Sequence, residues 1–129
     1  MATITAGVTI SSTDLNNDSA GASSESLSVS LSDALTVLGN HHSYVFATST
    51  TSAVFLTHGN YSKSYVLLYN TSTTTAETIQ IELADGDNDV MILGAGEFAF
   101  FPWSATHSLY ADAASGTPVL EIRLYQSAA

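Results

Sequence analysis

VLEIRLY, residues 119–125, alternates its side chains one by one: Leu120, Ile122 and Leu124 fall on one side, Glu121 and Arg123 on the other. A period of two is that of a strand with one face buried. TIQIEL, residues 78–83, repeats it, with Ile79, Ile81 and Leu83 expected inward and Thr78, Gln80 and Glu82 toward water. In SLSVSL, residues 26–31, Leu27, Val29 and Leu31 oppose three serines. Further β-rich runs are LTVL, SYVFATST, SAVFLT, SYVLLY, DVMIL, EFAFF and HSLYA, separated by turn signals such as GN, ADGDND, GAG and ASG. No window sustains apolar residues at helical spacing. About ten short strands without intervening helices predict an all-β fold, an antiparallel β-sandwich or jelly roll.

Residues 11–26, SSTDLNNDSAGASSES, are small and polar with little to bury. The expected organisation is therefore an extended N-terminal arm over residues 1–25 and a β-sandwich domain over 26–129. Such an arm gains order by lying against a neighbouring subunit, for instance by adding a strand to a sheet edge.

The 129 residues fit one domain, and the chain has no cysteine, so neither disulfides nor a thiolate nucleophile enter. Its start lacks a basic and an apolar leader segment, and no apolar run approaches the ~20 residues that span a bilayer, so a soluble chain outside the usual secretory route is expected. Twelve acids against two bases, Lys63 and Arg123, give a formal charge of −10. A chain that binds nucleic acid or anionic membrane needs clustered cations, so both partners are excluded as expectations.

Several strands are apolar on both faces. In SYVLLY, Val66 and Leu68 share one side while Tyr65, Leu67 and Tyr69 share the other. In EFAFFPW, Phe98 and Phe100 fall on one side, Phe101 and Trp103 on the other, around a strand-ending Pro102. A strand apolar on both faces is either covered twice or meets another subunit, and interfaces are rich in Tyr, Trp and Phe. Phe98 and Phe100 are assigned to the core, and Tyr65, Tyr69, Phe101 and Trp103 to an interface, the alternative being that Phe101 and Trp103 cap an end of the sandwich core.

Other motifs point to less. GAGEFAFFPW lacks the third glycine and the helix of a dinucleotide loop, so no cofactor is expected. Asp85, Asp87 and Asp89 have the 1, 3, 5 spacing of a calcium loop, but Val90 stands where its glycine belongs and Gly96 where its closing glutamate belongs. A solvated acidic turn is expected there. His41, His42, His58 and His107 lack metal-ligand spacing, and no G-x-S-x-G elbow positions a serine. No catalytic residue and no metal ligand is assigned. Asn17, Asn60 and Asn70 head glycosylation-type tripeptides, as chance supplies in a chain this rich in serine and threonine.

The polar N-terminal arm, YNTSTTTAETIQIEL (69–83), LGAGEFAFFPW (93–103) and ASGTPVLEIRLYQ (114–126) together resemble small all-β virion proteins of tailed bacteriophages, namely head decoration (cement) proteins and head or tail accessory proteins. The resemblance implies a noncatalytic structural protein located in the virion, binding the major capsid protein and itself as a homo-oligomer. A tail or head-to-tail component is the alternative within that class. From another class, a carbohydrate-binding β-sandwich module would stack Trp103 and nearby tyrosines on a sugar ring.

Overall fold

The computed structural model of the chain describes residues 2–12, 25–30, 35–37, 42–84 and 89–127. Among them the regular elements are all strands: β1 (Ala2–Ile4), β2 (Gly7–Ser12), β3 (Glu25–Ser30), β4 (Leu35–Val37), β5 (His42–Ala47), β6 (Ala53–Leu56), β7 (Ser64–Asn70), β8 (Ile79–Glu82), β9 (Asp89–Leu93), β10 (Phe98–Trp103), β11 (Leu109–Ala113) and β12 (Val119–Gln126). Two antiparallel four-stranded sheets, ordered β10-β7-β12-β5 and β6-β11-β8-β9, are accompanied by two-stranded ribbons β1-β4 and β2-β3.

The pairing is nested. β8 pairs with β9, β7 with β10, β6 with β11 and β5 with β12, as in one long antiparallel ribbon folded back on itself. The remaining contacts, β7 with β12 and β8 with β11, close the folded ribbon into sheets.

The alternating runs explain why these sheets share a core. Leu120, Ile122 and Leu124 of β12 and Val66 and Leu68 of β7 are fully buried from one sheet, Ile79, Ile81 and Ala111 from the other, in a single hydrophobic cluster. Completing that burial is worth roughly 1.5–3 kcal/mol for each large aliphatic side chain. Two polar side chains reach across between the sheets to backbone carbonyls. The Tyr44 hydroxyl donates to Phe55 O at 2.5 Å, and Asn70 Nδ2 donates to Glu77 O at 2.9 Å and Leu93 O at 3.1 Å.

Three expectations change. Glu82, expected in water, is only 4% exposed, and Leu83, expected inward, is exposed. The ladder between β8 and β9 shifts register between Ile81 and Glu82, so the simple alternation ends before Leu83. Where the N-terminal segment is described it is paired: β1 with β4, and β2, across the expected boundary at residue 25, with β3. Residues 13–24 of that segment, and the faces taken by Leu27, Val29 and Leu31, lie outside the described residues.

The third change concerns β10. Phe101 stands opposite Val66 and Trp103 opposite Ser64, both buried members of β7, whereas Phe98 stands opposite Tyr69 and Phe100 opposite Leu67 on the outside. The expected faces are therefore exchanged: Trp103 is 5% exposed and in the core, and Phe98 is 67% exposed. Parity along a strand separates its two faces without saying which is inner. Pairing with β7 decides that.

Candidate functional site

The outer face of β10-β7-β12-β5 is built by the second register of strands whose first register fills the core. Tyr65, Leu67 and Tyr69 of β7 point outward between Pro102, Phe100 and Phe98 on one side and Tyr125, Arg123 and Glu121 on the other. Tyr65 and Phe100 stack, with ring centroids 5.9 Å apart and planes 20° apart. Val45, opposite Glu121 on β5, is 67% exposed and extends the apolar surface to the far edge. One ion pair sits in it: Arg123 Nε and Nη2 donate to the same Glu121 oxygen at 3.0 and 2.9 Å. At one end Ile4, Thr5 and Ala6 line a cleft with Leu67, Phe100 and Tyr125.

Of the four residues assigned to an interface, the structure brings Tyr65 and Tyr69 together on this face. Phe101 and Trp103 are on the inner side. Trp103 Nε1 donates to His107 O at 3.0 Å and its ring lies against Tyr61, centroids 6.1 Å apart, so the indole is committed to the fold and does not offer a platform for a sugar ring. Phe98, Phe100 and Val45 take their place on the outer surface. The signal for Phe98 was present in the sequence as its shared side with Phe100, read with the wrong sign.

A second cluster lies on the outer face of the other sheet. Carboxylate oxygens of Glu82, Asp89 and Asp112 all lie within 4.8 Å of one another, the one such group of three ligating side chains among the described residues. β8 places Glu82 opposite Asp89 on β9, and Gln80 opposite Asp112 on β11. Ser52 Oγ donates to Glu82 Oε2 at 3.0 Å, while Asp112 Oδ1 and Gln80 Oε1 are buried without a hydrogen-bond donor. Burial first, then the charges of Glu82 and Asp89, push the Asp112 carboxyl above its ordinary value. Three carboxylates can supply oxygen ligands to a hard cation such as calcium or magnesium. Of the acidic turn singled out in the sequence, Asp89 belongs to this cluster, and Asp85 and Asp87 lie outside the described residues. Glu82 and Asp112 were missed because alternation presents them as separate solvent-facing positions on different strands.

The histidines do not converge among the described residues. His58 Nδ1 is 2.9 Å from Ser108 Oγ, and the same oxygen accepts from the His58 backbone N–H at 3.0 Å. That double contact fastens the turn after β6 to the start of β11. His107 Nδ1 is 3.2 Å from Thr106 Oγ1 in its own turn. No helix among the described residues is long and apolar enough to cross a membrane. No family model, curated protein or solved structure matches the chain.

Proposed function

We propose that the chain is a noncatalytic structural protein of a tailed-phage virion, a jelly-roll β-sandwich that acts as a decoration protein, binding the major capsid protein and itself in many copies. The observation that carries this reading is the outer face of β10-β7-β12-β5, where Phe98 and Val45 are each 67% exposed and lie in one surface with Tyr65, Tyr69 and Phe100. Apolar surface of that kind on a soluble domain marks a contact with another macromolecule. Docking in many symmetric copies multiplies a modest contact, and contacts made only in the assembled state stabilise that state.

The nested pairing of the eight sheet strands supports the jelly-roll reading, since a ribbon folded back on itself is how that architecture is wound, and it serves viral capsid as well as lectin domains. Val8 and Ile10 of β2, about half exposed, give the N-terminal ribbon apolar side chains suited to a neighbouring subunit. A tail or head-to-tail component would use the same surfaces. The carbohydrate-binding reading loses the tryptophan on which it was based.

The test is fractionation of particles on a density gradient with mass spectrometry of the bands. The chain is expected to band with particles, and Phe98→Ser is expected to release it into the soluble fraction. A wild-type chain that remains soluble in the presence of particles overturns the virion reading.

A further inference from the structure

We infer that the outer face of β10-β7-β12-β5 receives the same face of a second copy of this chain, with Arg123 of each copy set against Glu121 of the other. The inference rests on the reading of this face as a docking surface and names its occupant.

Charge selects the face. The whole chain carries a formal −10, so two copies repel wherever their acids meet. The strands of this face hold one acid, Glu121, and one base, Arg123, and their local charge sums to zero. The opposite sheet shows Glu82, Asp89 and Asp112 on its outside and no base, so two copies of that face would repel.

Position selects the arrangement. Glu121 and Arg123 are two residues apart on one face of β12, about 7 Å along the strand. In an isologous contact residue i meets residue j while j meets i. A two-fold axis lying in the contact and crossing β12 at the level of Ile122 sets each Arg123 over Glu121 of the other copy. The ladders extend the same exchange sideways. Leu67 is opposite Arg123 and Tyr69 opposite Glu121, so Leu67 of one copy meets Tyr69 of the other. Phe100 is opposite Leu67 and Phe98 opposite Tyr69, so those two phenylalanines also meet across the axis. The most exposed aromatic ring on the face is thereby covered, and the ion pair becomes a four-membered network. Because opposite charges face each other and like charges do not, the pair also fixes the register of the two sheets.

Sedimentation equilibrium of the full chain tests this. The wild type is expected to dimerise. Arg123→Glu, at an exposed side chain, and Glu121→Arg, at a half-buried one, are each expected to raise the dimer dissociation constant tenfold or more, with melting curves close to wild type when all are recorded at concentrations where the chain is monomeric. An equimolar mixture of the two variants is expected to associate as a heterodimer, because a face with two acids then meets a face with two bases. A monomeric wild type, single variants that dimerise as wild type does, or a mixture that fails to associate each overturn the second copy as occupant. Phe98→Ser separates this failure from failure of the docking reading. If the wild type is monomeric and Phe98→Ser still loses the particle band, the face docks a different protein and only the occupant is wrong; if Phe98→Ser keeps the particle band, the docking reading fails with it.

Discussion

The Tyr44 hydroxyl on β5 donates to the carbonyl of Phe55 on β6 at 2.5 Å, joining the edge strand of one sheet to the edge strand of the other. Burial, and then the neighbouring Tyr61, raise the phenol well above its ordinary value of 10.0, so the fold favours the protonated donor.

Tyr44→Phe is therefore expected to cost about 1–3 kcal/mol, the usual consequence of leaving a half-buried carbonyl without its donor. The pH dependence has a definite sign. Above pH 10 the unfolded chain releases this proton while the folded chain keeps it, so stability falls as pH rises past 10. Urea unfolding at pH 8 and pH 10.5 should show a steeper loss for wild type than for Tyr44→Phe. Equal losses would mean that the Tyr44 bond does not hold the sheets together.

The two aromatic registers of β10 should separate on mutation. Trp103→Ala is expected to destabilise the chain by about 3–5 kcal/mol, since a buried ring and its bond to His107 O are removed together. Phe98→Ser, at a position 67% exposed, is expected to leave the unfolding free energy within about 0.5 kcal/mol of wild type. Midpoints and slopes of urea unfolding for both variants decide it. A Phe98→Ser loss as large as that of Trp103→Ala would place Phe98 in the core after all.

Much of the fold is legible in the sequence because period-two patterns act locally. The inward set Leu120, Ile122, Leu124 and the outward pair Glu121, Arg123 on β12 stand as the alternation requires. Tyr65 and Tyr69 likewise fall on the outer face. What alternation lacks is a sign. In EFAFFPW both registers are aromatic, so the inner face is fixed only by the partner strand β7, which lies more than twenty residues earlier in the chain and beyond the span of a local pattern. The acidic cluster is illegible for the same reason, since Glu82, Asp89 and Asp112 meet through ladders between β8, β9 and β11.

Asn70 illustrates how a residue that looks like a surface glycosylation acceptor becomes part of the core. Its side chain is fully buried, Nδ2 donates to Glu77 O and Leu93 O, and Oδ1 accepts from the Ser72 N–H at 3.1 Å. It fastens the end of β7 to β9 of the opposite sheet. Asn70→Leu keeps the branching of the side chain and abandons three backbone groups, so a loss of about 2–4 kcal/mol is expected. Chemical denaturation of Asn70→Leu beside Asn60→Leu, at an exposed turn position, measures it. Equal small losses would show that the Asn70 bonds are replaceable by water.

Asp112 should make the chain more stable on mild acidification. In the fold its carboxyl is pushed up by burial, then by Glu82, then by Asp89, so it holds its proton at pH values where the unfolded chain, with its ordinary 3.8, has released it. Between those two values the folded state binds more protons, and stability therefore decreases as pH rises through the window and recovers as pH falls toward 3.8. Asp112→Asn supplies a neutral side chain at every pH. It is expected to be more stable than wild type at pH 7 and to show a flatter dependence between pH 7 and pH 4. Removing any acid from a chain of charge −10 relieves some repulsion, so Asp89→Asn, at an exposed position of the same cluster, serves as the control and is expected to flatten the profile less. Unfolding free energies of the three proteins at pH 7, 5.5 and 4 provide the comparison. Identical profiles for Asp112→Asn and Asp89→Asn would reduce the effect to net charge and remove the special position of Asp112.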